Sequence, residues 1–108
     1  MNKKVVKIYE NESGKSPFVE WFNSLDKKSK ERISARIDRI SEGNLGDCKP
    51  IDNNIFEFRF HFSSGYRIYF AQDGEVIIIL LLGGDKSTQK RDIEKAKEFY
   101  KDYKENIR

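Results

Sequence analysis

The sequence of 108 residues predicts one α+β domain, residues 1–108, built on a four-stranded, mainly antiparallel sheet packed by helices. Residues 55–62 alternate between aromatic and polar side chains, which is typical of a strand with one buried face. Asp73-Gly74 is a strong hairpin signal, and residues 76–82 are apolar without interruption. Together with helical periodicity before and after this block, these observations predict the element order β-α-α-β-β-β-α.

The first strand of the block, Ile55 to Phe62, has an apolar and a polar face, because successive side chains point to opposite sides. The second strand, Tyr66 to Gln72, repeats the alternation, whereas the third, Glu75 to Leu82, is predicted to be covered on both faces in the middle of the sheet. The apolar face of the first strand consists of Phe56, Phe58, Phe60 and Phe62. Its polar face consists of Glu57, Arg59 and His61.

The loop at residues 63–65 sets the register between the first two of these strands. A loop of two or four residues would place phenylalanine opposite arginine, since a slip of one residue reverses every side chain. A three-residue loop instead pairs Phe60 with Ile68 and keeps the apolar face whole. The same register gives the opposed pairs His61 with Arg67 and Arg59 with Tyr69. The predicted polar cluster is therefore Glu57, Arg59, His61, Arg67 and Tyr69.

An N-terminal strand, Lys4 to Tyr9, is the candidate neighbour for the free side of the central apolar strand. The four strands, numbered along the chain, then lie in the spatial order 2-3-4-1. Residues 44–54 contain Gly46, Pro50 and an Asp-Asn-Asn cluster, so they are predicted to be a connecting loop.

Two helices precede that loop and one follows the strands. Ser16 caps the first helix and Pro17 occupies its first position, where a missing N–H costs nothing. Asp26 caps the second helix, and either Ser87 or Thr88 caps the last. The last helix carries apolar side chains at helical spacing, namely Ile93, Ala96, Phe99, Tyr100 and Tyr103.

Composition limits the class of protein. The net charge of +3, from 21 basic and 18 acidic residues, is weak evidence for nucleic-acid binding. Cys48 is the single cysteine, which excludes an internal disulfide and favours a reducing, cytoplasmic location. No signal-peptide core is present, and the apolar run at residues 76–82 is too short to cross a membrane. With one cysteine and one histidine there is no metal-ligand spacing, so neither a metal nor a cofactor is expected.

The polar cluster has two interpretations. Polar side chains can simply keep one sheet face in water, with Glu57 in a modest surface ion pair. We favour an anion site, because the central strand delivers Lys86 at its end and Gly83-Gly84 before a helix supplies backbone N–H groups. The cations expected to reach one shared hollow are Arg59, Arg67 and Lys86, and a phosphate diester suits such donors.

A second group of arginines lies on the second helix, at positions 32, 36 and 39. Such a ladder could follow phosphates. Because Glu31, Asp38 and Glu42 are interspersed with it, we interpret this ladder as a solvated helix face.

Four segments of the chain resemble a known family. They are Phe56-Glu57-Phe58-Arg59, Gly65-Tyr66-Arg67-Ile68-Tyr69-Phe70, Leu81-Leu82-Gly83-Gly84-Asp85-Lys86-Ser87-Thr88-Gln89 and Asp92-Ile93-Glu94-Lys95-Ala96. With the N-terminal strand and the helix at residues 18–22, they resemble the RelE/ParE superfamily of bacterial toxins, specifically its phage-related HigB-like killer proteins. The resemblance covers nearly the whole chain and implies a RelE-like fold.

The resemblance implies the toxin of a type II toxin-antitoxin system. The resemblance further implies an mRNA interferase, an endoribonuclease that cleaves codons on the translating ribosome and so inhibits translation. The implied partners are the ribosome with its mRNA and a cognate antitoxin, a helix-turn-helix protein of the HigA kind. The resemblance also implies active-site roles for Arg67 and Lys86, and Arg59 occupies a position that is usually basic in HigB-like proteins.

The implied reaction is attack of a ribose 2′-OH on the adjacent phosphorus, which needs a base, an acid and cations but no metal. Arg59 and Arg67 would neutralise the developing charge. His61 would carry a proton, since histidine is the side chain type that titrates near neutrality, or it would only hydrogen-bond at the surface. Glu57 would serve as base or orient Arg59. Tyr69 would stack on a base or pack, and Ser87 and Thr88 would contact RNA at the helix start.

Two other functions remain open. In the ParE branch, proteins of this fold inhibit DNA gyrase by binding, without catalysis. A degenerate toxin would only bind its antitoxin. The three cations Arg59, Arg67 and Lys86 favour the ribonuclease. Its few acid and base groups predict dependence on the ribosome, because alignment of the RNA replaces much catalytic power.

Overall fold

The computed structural model describes residues 3–106, which form one mixed sheet between helices. The strands are β1 (Val5–Ile8), β2 (Cys48–Asp52), β3 (Ile55–Arg59), β4 (Arg67–Asp73) and β5 (Ile77–Gly84). The helices are α1 (Pro17–Asn23), α2 (Lys27–Ser41) and α3 (Gln89–Glu105), and a short 3₁₀ turn, Lys86–Thr88, precedes α3.

The sheet has the order β1-β5-β4-β3-β2. β1 pairs with β5 in parallel and every other neighbouring pair is antiparallel. The α+β class is therefore confirmed, and the four predicted strands keep their predicted neighbours. The prediction of a four-stranded sheet is wrong, because a fifth strand extends it beyond β3.

The additional strand is β2, which lies within the predicted loop at residues 44–54. Cys48 pairs with Phe58 and Pro50 with Phe56 across an antiparallel ladder. Proline is tolerated here because β2 is an edge strand, and the register shifts between Pro50 and Asp52. Asn54, with φ 60°, turns the chain tightly into β3.

The register between β3 and β4 also differs from the prediction. Phe58, not Phe60, lies opposite Ile68, so Arg59 faces Arg67 and Glu57 faces Tyr69. The connection is longer than three residues: the N–H of Phe60 donates to the carbonyl of Tyr66 (2.9 Å). The chain reverses through two left-handed residues, Ser63 at φ 55° and Gly65 at φ 74°. A shift of two residues preserves the faces but replaces the predicted cross-strand partners.

Helices cover both faces of the sheet. The phenylalanine face packs against α1 and α2, and the rings of Phe58 and Phe70 stack there with centroids 4.0 Å apart. The opposite face packs against α3 through Ala96 and Tyr100. The prediction that this second face is open to water is wrong. Parity along a strand identifies the side of a residue but not what lies above it.

Helix starts follow the sequence except at α3. The side chains of Ser16 and Asp26 accept from the first-turn N–H groups of α1 and α2, as predicted. Thr88, one of the two predicted residues, occupies the N-cap position of α3, but its side chain makes no capping hydrogen bond. The 3₁₀ turn before α3 is capped by Asp85. Asp85 accepts from the N–H and hydroxyl of Ser87 at 2.8 and 2.6 Å. These donors are therefore already used within the protein.

Candidate nucleic-acid interface

The predicted cations gather at one end of the sheet, where β3 ends and β4 begins. Arg59 lies opposite Arg67, and Arg67 lies opposite Gly84 at the end of β5. Lys86 begins the 3₁₀ turn and is exposed. The N–H of Lys86 donates to the Ser64 carbonyl (3.5 Å), which joins the turn to the β3–β4 loop. The strand ends thus bring the three residues to one edge, but their side chains have different partners.

Arg67 is engaged inside the protein. Its Nη1 donates to Glu57 Oε1 at 2.9 Å, and the Gln89 amide of α3 donates to Glu57 Oε2 at 2.7 Å. The Arg67 side chain is 13% exposed and that of Glu57 is fully buried. The expected hollow shared by Arg59, Arg67 and Lys86 is therefore not formed, because α3 closes over the pair.

Tyr69 lies fully buried in the same layer, directly opposite Glu57. Burial raises the pKa of the Tyr69 hydroxyl well above its ordinary value of 10.0, and the neighbouring Glu57 and Asp92 carboxylates act in the same direction. The phenol therefore stays neutral and packs in the core. Neither Glu57 nor Tyr69 reaches the surface, where a base or a nucleotide could meet it.

Ser87 and Thr88 are also occupied. Ser87 is bound by Asp85, and the Thr88 hydroxyl donates to Asp92 Oδ2 at 2.5 Å. Gly84 permits this arrangement, since a Cβ there would overlap the Asp92 carboxylate. A carboxylate thus fills the space in which the sequence predicted an anion. The glycine at this position serves close packing of β5 against α3.

A second polar cluster is centred on Asp47, just before β2. Its Oδ1 accepts from Arg59 Nη2 at 3.1 Å and its Oδ2 from His61 Nε2 at 2.6 Å. The hydrogen bond from His61, and then that from Arg59, lowers the pKa of the Asp47 carboxyl. The carboxylate is ionised at neutral pH, while the His61 side chain remains 76% exposed. This cluster presents an imidazole and a guanidinium to solvent.

Arg36 of α2 supports this cluster from the side. Its guanidinium donates to the carbonyls of Leu45, Asp47 and Arg59, at 3.3, 2.8 and 3.3 Å. It also lies over the rings of Phe58 and Phe60, 5.4 and 5.0 Å from their centroids. Burial lowers the pKa of Arg36, but an arginine stays charged throughout the physiological range.

A surface groove of about 340 Å³ lies between α2 and the end of β3. We call it the arginine groove, and its charged lining is Arg32, Arg36, Arg39, Asp47, Arg59 and His61. Phe60 and Phe62 form its apolar wall, and the Arg32 guanidinium lies 4.8 Å from the Phe62 ring centroid. Four permanent positive charges against one carboxylate make the groove electropositive, which is the charge balance that suits a polyanion.

The helix geometry explains why acidic residues do not cancel these charges. At 100° per residue, the three arginines of α2 fall within an arc of about 60°. Glu31, Asp38 and Glu42 occupy a separate arc whose centre is about 100° away. From the sequence we interpret this ladder as a solvated helix face, and Arg32 and Arg39 are exposed, whereas Arg36 is half-buried against two phenylalanine rings. The two signs nevertheless separate around the helix.

A larger surface cavity, of about 540 Å³, lies away from this edge. Its lining is Tyr9, Asn11, Glu12, Ser13 and Asp102, whose carboxylates disfavour a phosphate. Among residues 3–106, no group of histidine, cysteine, aspartate and glutamate side chains is arranged to hold a metal ion. No helix in this described range is long and apolar enough to cross a membrane.

Sequence reasoning missed Asp47 and the structural role of Arg36. Asp47 lies in a stretch read as a loop, and no local pattern links it to His61 fourteen residues later. Gly46 offers the one signal in hindsight: its φ is +66°, and a Cβ there would press on the Arg36 guanidinium. A glycine required by a side chain from another element cannot be told from a turn glycine in the sequence.

Comparison with known proteins identifies the family. The family model described as "Phage derived protein Gp49-like (DUF891)" matches residues 20–101. An uncharacterized protein of Haemophilus influenzae is 46% identical over 81 residues, which cover 74% of this chain and 82% of that protein. The matched region extends from α1 into α3 and includes the arginine groove. The chain belongs to the Gp49-like family of phage-derived proteins.

Proposed function

We propose that this protein is the toxin of a type II toxin-antitoxin system and that it cleaves mRNA on the ribosome. The Gp49-like family is one of addiction-module killer proteins, which supports the assignment as a toxin. The observation that carries the proposed activity is the arginine groove, in which an exposed His61 stands beside Arg59 among the arginines of α2. Imidazole and guanidinium groups at one surface suit a phosphodiester.

In this proposal each groove residue has its own role in cleaving the RNA strand, and no metal is used. Arg59, with the exposed Arg32 and Arg39, holds the phosphate and stabilises the charge of the phosphorane. His61 takes the proton from the ribose 2′-OH, whose oxygen then bonds to the adjacent phosphorus. The bond from phosphorus to the 5′-oxygen breaks, that oxygen takes a proton from solvent water, and His61 returns its proton to solvent. The products are a 2′,3′-cyclic phosphate and a free 5′-OH.

Other predicted residues take a different part in this proposal. Lys86 is an exposed cation at the same edge of the sheet and can contact RNA beyond the groove. Arg67, Glu57 and Tyr69 form the buried layer beneath α3, so in this conformation they support the fold rather than the chemistry.

Dependence on the ribosome follows from the small number of catalytic groups. His61 is the single histidine of the chain, so the groove has one proton carrier where a self-contained ribonuclease uses two. Positioning of the RNA by the ribosome can supply the rest of the rate enhancement, since alignment of the reacting groups alone raises a reaction rate by several orders of magnitude. We therefore expect little cleavage of naked RNA.

Primer extension on mRNA after induction of the protein tests the proposal. Cuts within codons are expected for the wild type and are expected to vanish in Arg59→Ala and His61→Ala. Arg91→Ala is the matched control, because Arg91 is exposed on α3 outside the groove. Intact mRNA in cells arrested by the wild-type protein would overturn the proposed activity.

The second candidate function is inhibition of DNA gyrase by binding. The engagement of Arg67 with Glu57 favours it, since this pair leaves one of the expected catalytic cations inside the protein. A supercoiling assay in parallel separates the two functions, because a gyrase inhibitor blocks supercoiling while mRNA stays intact. In either case we propose a helix-turn-helix antitoxin as partner, and its co-expression should relieve growth arrest.

A further inference from the structure

Asp47 contacts both groups that the proposed chemistry uses. One carboxylate oxygen binds Arg59 and the other binds His61. The backbone adds a third link, because the Arg59 N–H donates to the Asp47 carbonyl at 3.1 Å. A single residue thus fixes the end of β3 and the imidazole that follows it.

The position of Asp47 is itself fixed by α2. The Arg36 fork binds the carbonyls on either side of Gly46 and, with its other nitrogen, the carbonyl of Arg59. Its flat face rests on two phenylalanine rings, so the guanidinium is held by the core beneath it. Arg36 therefore has little freedom to bind substrate, unlike Arg32 and Arg39, which are exposed.

We infer that Asp47 is a positioning residue of the arginine groove, held by Arg36, which selects one tautomer of His61 and orients its free nitrogen toward RNA. This inference rests on the proposed function. Nε2 donates to the carboxylate, so Nδ1 is left as the acceptor for the 2′-OH proton. The carboxylate also stabilises the imidazolium that forms, as in hydrolases where an aspartate orients the catalytic histidine.

The electrostatic surroundings of His61 make the contribution of Asp47 measurable. The charged groups that share the groove with the imidazole are Asp47 from the segment before β2, Arg59 from β3, and Arg32, Arg36 and Arg39 from α2. All of them are positive except Asp47. Without that carboxylate, the imidazole would share the groove with cations only, and no charged group of the groove would accept from its Nε2.

The first test uses the purified protein and does not depend on activity. Nitrogen-15 NMR of the imidazole is unambiguous because the sequence has one histidine. In the wild type we expect the neutral form to carry its proton on Nε2. In Asp47→Asn we expect this preference to be lost, because the carboxylate that accepts from Nε2 is gone.

Two further variants complete this test. Asp38→Asn removes the same charge from the acidic side of α2 and should leave the His61 signals unchanged. Arg36→Lys keeps the charge but not the fork, so it should weaken the tautomer preference while Asp47 is still present. An unchanged tautomer in Asp47→Asn would overturn the inference.

The second test measures cleavage on programmed ribosomes. We expect Asp47→Asn to lower the rate about tenfold, a part of the roughly 10²–10⁴-fold that a positioned acid-base group supplies. Its KM should stay unchanged. If the wild type cleaves and Asp47→Asn matches it in rate, the inference fails alone. If the wild type does not cleave, the proposed function fails, and the NMR result still decides whether Asp47 positions His61.

Discussion

Removal of the Glu57 carboxylate tests whether α3 seals the sheet in solution. Glu57 is fully buried and binds two donors, Arg67 at 2.9 Å and Gln89 at 2.7 Å. Glu57→Ala leaves a mostly buried guanidinium without its counter-charge and an amide without its acceptor. Both losses act on the folded state.

The expected cost follows from these contacts. Breaking a buried ion pair by deleting one partner costs about 3–5 kcal/mol. The Arg67 side chain keeps 13% of its surface in water, so we expect the lower end, about 3 kcal/mol, for the pair. The orphaned Gln89 amide adds about 1 kcal/mol. For a domain of this size, the combined loss of about 4 kcal/mol lowers Tm by roughly 15 °C or more.

Urea unfolding followed by circular dichroism measures this cost, as a lower midpoint with an unchanged m-value. Glu57→Gln keeps the shape and should lose less. Glu94→Ala is the control, because Glu94 lies on the exposed side of α3 and pairs only at the surface with Lys97; its stability should stay within about 0.5 kcal/mol of wild type. A cost below about 1 kcal/mol for Glu57→Ala, the value of an exposed pair, would refute the burial. Glu57 and Arg67 would then be open to RNA after all.

Three further predictions follow from other contacts. Burial raises the pKa of Tyr69, so the folded protein binds the phenol proton more tightly than the unfolded chain; the stability that this gives is complete below pH 10 and is lost as pH rises further. Tyr69→Phe should therefore lose less stability than the wild type between pH 8 and 11 in urea titrations. An equal decline in both proteins would contradict this prediction. Phe58→Ala should cost about 3–5 kcal/mol in the same unfolding assay, since the ring is fully buried against Phe70, and a loss under 1 kcal/mol would argue against that stacking. Gly84→Ala should lower Tm, because its methyl group meets the Asp92 carboxylate, whereas a wild-type Tm would mean that α3 does not approach β5 so closely.

Local chemistry predicted much of the fold. Ser16 and Asp26 are recognisable as caps because a short polar side chain directly precedes each amphipathic run. The alternation from Phe56 to Phe60 identified the face that meets α1 and α2. The uninterrupted apolar strand was placed correctly at an inner position, between β1 and β4. Each of these inferences depends on neighbours within one turn or one strand.

What could not be predicted depends on residues far apart in sequence. Because of Pro50, the segment that forms β2 was predicted to be a loop. A proline is compatible with a strand when no neighbouring strand needs its N–H, and the sequence does not show that β2 lies at the edge of the sheet. Glu57 read as a surface residue, since a buried carboxylate requires a partner such as Arg67 that only the register supplies. The predicted register was wrong because a five-residue loop, with two residues in the left-handed conformation, leaves the same side chains on each face of the sheet as the predicted three-residue loop.

The same limit applies to the candidate site. Arg59 and His61 were predicted and lie together, yet the residue that joins them, Asp47, comes from a different segment. Arg36 was assigned to a solvated surface, because a helical wheel without its neighbours does not show which arginine rests on aromatic rings. The side chains proposed to act on RNA could be predicted from the sequence. The residues that hold them in place could be identified only from the folded sheet.

The parallel pairing of β1 with β5 has a consequence for how the newly synthesised chain folds. Val5 finds its partner Ile77 some 72 positions later in the chain. Such long-range closure slows folding, and during synthesis the first strand has no partner until β5 has left the exit tunnel. We therefore expect a newly made chain to complete its sheet only after β5 has emerged. Until then the nascent chain has an incomplete sheet. A partner protein that is already present can bind the chain in this state.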